Sequence, residues 1–202
     1  VESKAMQEKY VGKLPAYPDI YDYYRINRVI TLGQVGVPAN DLNIMLNEQM
    51  RKWGPLKQGN VIAVFVDDTY QEDFYHALQS YWLGGKKNDI IVIVQVDSTG
   101  KVGWNRVFSR ADTATFDKSI EFDIATMKQF DARQYVNILN ENIGERFHRL
   151  DFEQFKYLLE ELKPSTTALI VGVLFALIIN IGLNFLIVKE DLFGDGFRKR
   201  FR

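Results

Sequence analysis

Four aspartates have the side-chain chemistry to hold a hard cation. Asp67 and Asp68 close the apolar run NVIAVFVDD, Asp89 opens the run DIIVIVQV, and Asp112 follows in SRADT. Ligands of open α/β sheets gather outside the strand ends, and oxygen-only donors suit Ca2+ or Mg2+. Calcium takes about six to eight oxygens, so Asp67, Asp68 and Asp89 form the expected core of a metal site, with Asp112 as a further contributor. Each also has a plain structural use. Asp68 is a natural N-cap for a helix opening at Thr69, and Asp89 is a natural turn residue after Gly84-Gly85. Both alternatives stay open on the sequence.

No other pattern carries chemistry of comparable weight. There is no nucleophile elbow, phosphate-binding glycine loop or zinc signature, so no catalytic or cofactor-binding residue is assigned. With Cys absent and only His76 and His148 present, thiolate and multi-histidine zinc sites are excluded. Gly84-Gly85-Lys86-Lys87 follows a helical pattern instead of opening one, which points the helix dipole away from any phosphate. His76 reads as a packing residue. His148 shares a basic patch with Arg146 and Arg149 that suits a solvated helix face or, as the alternative, anionic headgroups.

The elements that must position these residues alternate in type. At 202 residues, 47% hydrophobic, the chain has room for one domain and an extra element. Its 25 basic and 26 acidic residues leave no electrostatic footprint for nucleic acid. Residues 1–28, with Gly12, Pro15, Pro18 and five tyrosines, read as an irregular arm. From Leu42, Met45, Leu46 and Met50 a helix is expected, stopped by Gly54-Pro55. Next come the strand NVIAVFV, a helix over 69–82 with Thr69 and Glu72 at capping-box spacing, and the strand IIVIVQV. The segment DSTG then turns the chain into KVGWNRVFS as a hairpin with glycine in the left-handed position. A further helix is expected over 126–144 on Met127, Phe130, Tyr135, Ile138 and Leu139. The pattern predicts an α/β fold in which a mixed β-sheet is flanked by helices on both faces over residues 29–149.

From Thr166 to Val188 the chain carries twenty-three residues without a charge. At 1.5 Å per residue these reach about 35 Å, enough for one C-terminal transmembrane helix over 164–188. An amphipathic juxtamembrane helix on Phe155, Leu158, Leu159 and Leu162 leads into it over 150–163. The tail 189–202 holds Lys189, Arg198, Lys199, Arg200 and Arg202, a denser basic cluster than precedes the span. That bias predicts a cytoplasmic tail, with Arg198, Lys199, Arg200 and Arg202 at the membrane surface, and an extracytoplasmic domain, periplasmic or at the cell surface. A first residue of Val1 suits either removal of a leader or origin within a longer chain. Within the span, Asn180 and Asn184 sit four apart, and Gly172 and Gly182 offer small surfaces. All four are expected contacts with another membrane protein or a second copy.

The segments NDLNIMLNEQM, WLGGKKND, IIVIVQV, KVGWNRV and MKQFDARQY, in that order, resemble the TPM domain family over about residues 29–149. The resemblance implies an extracytoplasmic α/β domain tethered to a membrane, with a role in assembling or repairing membrane complexes. For some members it also implies metal-dependent phosphatase activity or calcium binding in an acidic cleft. Asp89 matches the aspartate that closes the family's G-K-x-x-D-N-G loop, with Ile90 and Ile91 standing where Asn and Gly are usual. Where the family has G-Y-G-L-E, this chain has VFSRADT. The expected function is accordingly a non-enzymatic protein-interaction or assembly module of a membrane complex, with the metal-dependent phosphatase as the alternative.

Overall fold

A computed structural model of the chain describes residues 8–18, 27–111, 115–149 and 165–189. It separates into two units, Val1–Asp151 and Phe152–Arg202. Asp112, the juxtamembrane segment 150–163, most of the arm and the basic residues Arg198, Lys199, Arg200 and Arg202 lie outside the described residues.

The first unit is α/β. Its elements are β1 (Val29–Leu32), α1 (Ala39–Lys57), β2 (Asn60–Val66), α2 (Phe74–Tyr81), β3 (Asp89–Val96), β4 (Val102–Ser109), α3 (Thr115–Ala125) and α4 (Ala132–Arg146). The four strands form one sheet in the order β1-β2-β3-β4. β1, β2 and β3 run parallel, and β4 returns antiparallel to β3, which makes the sheet mixed. The expected DSTG hairpin forms the β3–β4 connection, with Gly100 at φ 88°.

Two strands buried along nearly their whole length need apolar side chains on both sides, and β2 and β3 supply them. Alternate residues enter two separate clusters. Val61, Ala63, Phe65, Ile90, Val92 and Val94 pack with Leu42 and Leu46 of α1, Ile120 of α3, and Tyr135 and Leu139 of α4. Ile62, Val64, Val66, Ile91 and Ile93 pack with Phe74, Ala77 and Leu78 of α2, together with Tyr10 and Trp82.

Several local expectations are corrected. β1 went unread in the sequence because it is only four residues long, three half-buried and Thr31 exposed, too short to set up a clear alternation. α1 continues through Gly54-Pro55 to Lys57, forfeiting the proline's N–H, and ends where left-handed Gln58 bonds back to the Gly54 carbonyl. α2 starts at Phe74 behind Asp73, not at Thr69. The capping box does not form: the Thr69 hydroxyl bonds Asp67, and Glu72 pairs with Arg106. The helix expected over 126–144 is observed as α4, which starts later, at Ala132, and α3 over Thr115–Ala125 was not expected from the sequence. α3 uses Phe116, Ile120 and Ile124 at i, i+4 spacing, and α4 begins after Asp131, whose extended backbone and carboxylate cap the Gln134 N–H at 2.7 Å.

β4 is an edge strand, and α3 lies against it. Asp117 and Glu121, one turn apart on α3, accept the backbone N–H groups of Ser109 at 3.2 Å and Val107 at 3.1 Å. At the other end of β4, the Val102 N–H donates to the Lys128 carbonyl, and a bulge lies between the Val94 and Val96 pairs.

The second unit contributes α5 (Thr166–Lys189), a continuous helix. Its stretch Thr166–Ile187 is long and apolar enough to cross a membrane, and none of it is buried within the chain.

Candidate functional site

A polar residue stands at the head of each apolar strand run: Arg28 before VITL, Asn60 before VIAVFV, and Asp89 before IIVIV. Parallel pairing sets Asn60 directly beside Asp89. Both Asp89 and Arg28 are only 2% exposed, so each needs partners inside the protein. The Asp89 Oδ2 accepts the Tyr17 hydroxyl and the Lys86 backbone N–H, each at 2.6 Å, while Oδ1 accepts the Asn60 Nδ2 at 2.8 Å. Asn60 offers its Oδ1 to Arg28, whose Nε reaches the Asn47 Oδ1 at 2.7 Å and whose backbone N–H reaches the Asn43 Oδ1 at 2.7 Å.

Asn43 and Asn47 lie one turn apart on α1. The network thus joins helix, two central strands and arm through one amide that touches both buried charges. Burial first, and then the adjacent Asp89 carboxylate, pushes the Tyr17 phenol far above its usual range and keeps it a donor. The Tyr17 ring stands edge-on to Trp82 at 5.3 Å and under the Lys86 ammonium at 4.8 Å. Trp82 in turn donates its indole N–H to the Pro15 carbonyl at 2.9 Å. These residues border an open, largely apolar cleft of ≈ 530 Å³ lined by Ala16, Tyr17, Tyr81, Trp82, Leu83, Gly85 and Lys86.

Asp67 follows the far end of β2, whereas Asp89 opens β3 beside its near end. Since Asp89 pairs with Asn60 and Asp67 follows Val66, roughly 20 Å of strand separates the two carboxylates. The candidate metal cluster Asp67, Asp68 and Asp89 is therefore not brought together, because parallel strands put the end of one beside the end of the other. Among the described residues no group of three or more His, Asp or Glu side chains could hold a metal ion.

The Asp67 Oδ1 accepts the Thr69 hydroxyl at 2.5 Å and its N–H at 3.1 Å, and Oδ2 accepts the Gln34 N–H at 3.0 Å. Partial desolvation pulls its pKa upward, but the bonds from Thr69 and Gln34 outweigh it and the net shift is downward. The carboxylate clasps the turn after β1 to the turn after β2. It leaves no room for a side chain at residue 33, where φ is +80° and a Cβ would lie 1.8 Å from the Asp67 Oδ2. Asp68 is exposed and caps no helix.

Arg28, Asn60, Asn43, Asn47 and Tyr17 were missed in the sequence. Their signal was present in the polar residue heading each β run, but only the parallel register shows that the heads meet. His76 lies in α2 with its ring edge-on to the adjacent Tyr75, but it is exposed and not part of the packed core expected for it.

On α5, the Asn184 Nδ2 donates to both the Asn180 carbonyl and the Asn180 Oδ1 at 2.8 Å. Gly172 and Gly182 meet nothing within 4 Å of a would-be Cβ.

Comparison with known proteins finds no matching family model, no matching curated protein and no matching solved structure.

Proposed function

We propose that this chain is a single-pass membrane protein whose TPM-like α/β domain stands outside the cytoplasm and works by protein contact within a membrane assembly. The observation that carries the reading is α5, a helix of bilayer length without a charge from Thr166 to Val188, joined to a separate α/β unit. The lipid bilayer is then one partner and other membrane proteins are the other, with Arg198, Lys199, Arg200 and Arg202 on the cytoplasmic side. Placing helices on both faces of the sheet is part of the same reading, and it draws on the division of β2 and β3 side chains between two clusters.

Contact is favoured over catalysis because the strand-end carboxylates of Asp67 and Asp89 are engaged in holding loops and strands together, each by three hydrogen bonds. Protease added to intact cells is expected to digest the α/β domain and spare a tag on the tail. Digestion only after permeabilisation would reverse the topology. The full chain, assayed on a phosphomonoester with Ca2+, Mg2+ or Mn2+, is expected to give no turnover. Metal-dependent turnover lost in Asp68→Asn and Asp89→Asn would replace the contact reading with the phosphatase.

A further inference from the structure

Between the threonines at its start and Lys189 at its end, the polar side chains of α5 are Asn180 and Asn184. Measured from the middle of Thr166–Ile187 at 1.5 Å per residue, they lie about 5 and 11 Å from the centre of the span, inside a hydrocarbon half-thickness of about 15 Å. An amide there has no water to bond, so every donor left over is costly. The two residues satisfy each other only in part. Asn184 spends both amide hydrogens on Asn180, which leaves the Asn184 Oδ1 and the Asn180 Nδ2 hydrogens without a partner among the described residues.

Because α5 is an unbroken helix, its faces follow from about 100° per residue. Leu169, Val173, Ala176, Asn184 and Ile187 fall within roughly 40° of Asn180. Gly172 falls roughly 80° away and Gly182 roughly 160° away, so the two glycines share no face with the asparagines. The small residue on the Asn face is Ala176, one turn before Asn180, which lets a neighbouring backbone come close.

We infer that α5 pairs in parallel with α5 of a second copy of this chain, through the face of Val173, Ala176, Asn180, Asn184 and Ile187. The occupant follows from the hydrogen-bond inventory. What remains is a donor on Asn180 and an acceptor on Asn184 one turn on, and a carboxamide is its own complement. Copies inserted the same way run parallel, so the Asn180 donor of each helix lies one turn from the Asn184 acceptor of the other, and two symmetric Asn180-to-Asn184 hydrogen bonds can cross the seam. A purely apolar partner helix leaves both unmet. The pairing deepens the membrane reading above and rests on it.

The chain has no cysteine, so single cysteines report on one face at a time. In membranes holding the full chain, oxidative cross-linking is expected to give dimers for Val173→Cys and Ile187→Cys and none for Val171→Cys and Ile178→Cys on the opposite face. Adding Asn180→Leu and Asn184→Leu is expected to weaken the dimer about tenfold, while Gly182→Leu leaves it unchanged. Equal yields from both faces, dimers indifferent to the double asparagine change, or cross-links only to a different polypeptide would overturn the pairing. Extraction with alkaline carbonate separates the two readings. A chain that washes off the membrane overturns the anchor itself, whereas a retained chain that stays monomeric overturns only the pairing.

Discussion

Asp67 and Asp89 are the same residue type, at two ends of one pair of parallel strands, each accepting three hydrogen bonds. They differ in what surrounds the bonds. Asp89 is 2% exposed and shares Asn60 with the equally buried Arg28, whereas Asp67 is only partly buried and bonds two surface turns. A carboxylate that water cannot reach is held only by its protein partners, so the same bond count stands for a larger dependence at Asp89.

Four substitutions test that difference, all readable by denaturant unfolding with tryptophan fluorescence, since Trp53, Trp82 and Trp104 all lie in the α/β unit. Asp89→Ala has the largest expected effect, a loss of about 3 kcal/mol, because it strands Asn60, the Tyr17 hydroxyl and the Lys86 N–H in a buried setting that also holds the Arg28 charge. A cost below that of the Asp67 variant would break the comparison. Gly33→Ala is expected to cost about 2 kcal/mol, from the left-handed backbone and the clash with the Asp67 carboxylate together. Combining it with Asp67→Ala should recover part of the loss, leaving the backbone share.

Tyr17→Phe removes one of the three Asp89 donors and is expected to cost about 1 kcal/mol. Asp67→Asn is the mildest at neutral pH, below about 1 kcal/mol. Its signature is in acid. Because the Asp67 pKa is lowered by folding, the stability it lends is present above its unfolded value near 3.8 and is lost as pH falls through the lower folded value. The asparagine variant should therefore lose less stability than the parent on acidification below pH 3.8. An unchanged acid limb would remove Asp67 from the account.

The legibility of these two carboxylates in the sequence followed the range of the interactions involved. The DSTG hairpin was readable because a turn is decided by four neighbouring residues, and β2 and β3 were readable from unbroken apolar runs. The α2 start was not, since Thr69 had two possible partners and the folded chain chose Asp67 over the capping box. The start of α4 was expected too early because Met127 and Phe130 extend an apolar pattern into the loop that ends at its cap, Asp131, and α3 was not read at all. The proposed cluster of Asp67, Asp68 and Asp89 failed on topology. That two strand ends are aspartates is local information, but whether those ends adjoin depends on a parallel crossover that no short window contains. The network around Asp89 was hidden for the same reason, with Tyr17 lying 72 positions away.

The closure of β4 by Asp117 and Glu121 bears on how the protein avoids self-assembly. An edge strand offers its outward N–H groups to any passing β-strand, and most proteins discourage this with exposed charge or a short edge. Here, two carboxylates on α3 occupy the N–H groups of Val107 and Ser109 directly, so resistance to strand addition depends on one helix remaining docked. Alanine at both positions would leave the sheet's apolar strands in place and free a template for fibril-like growth, and the first sign would be lost solubility at high concentration rather than lost fold.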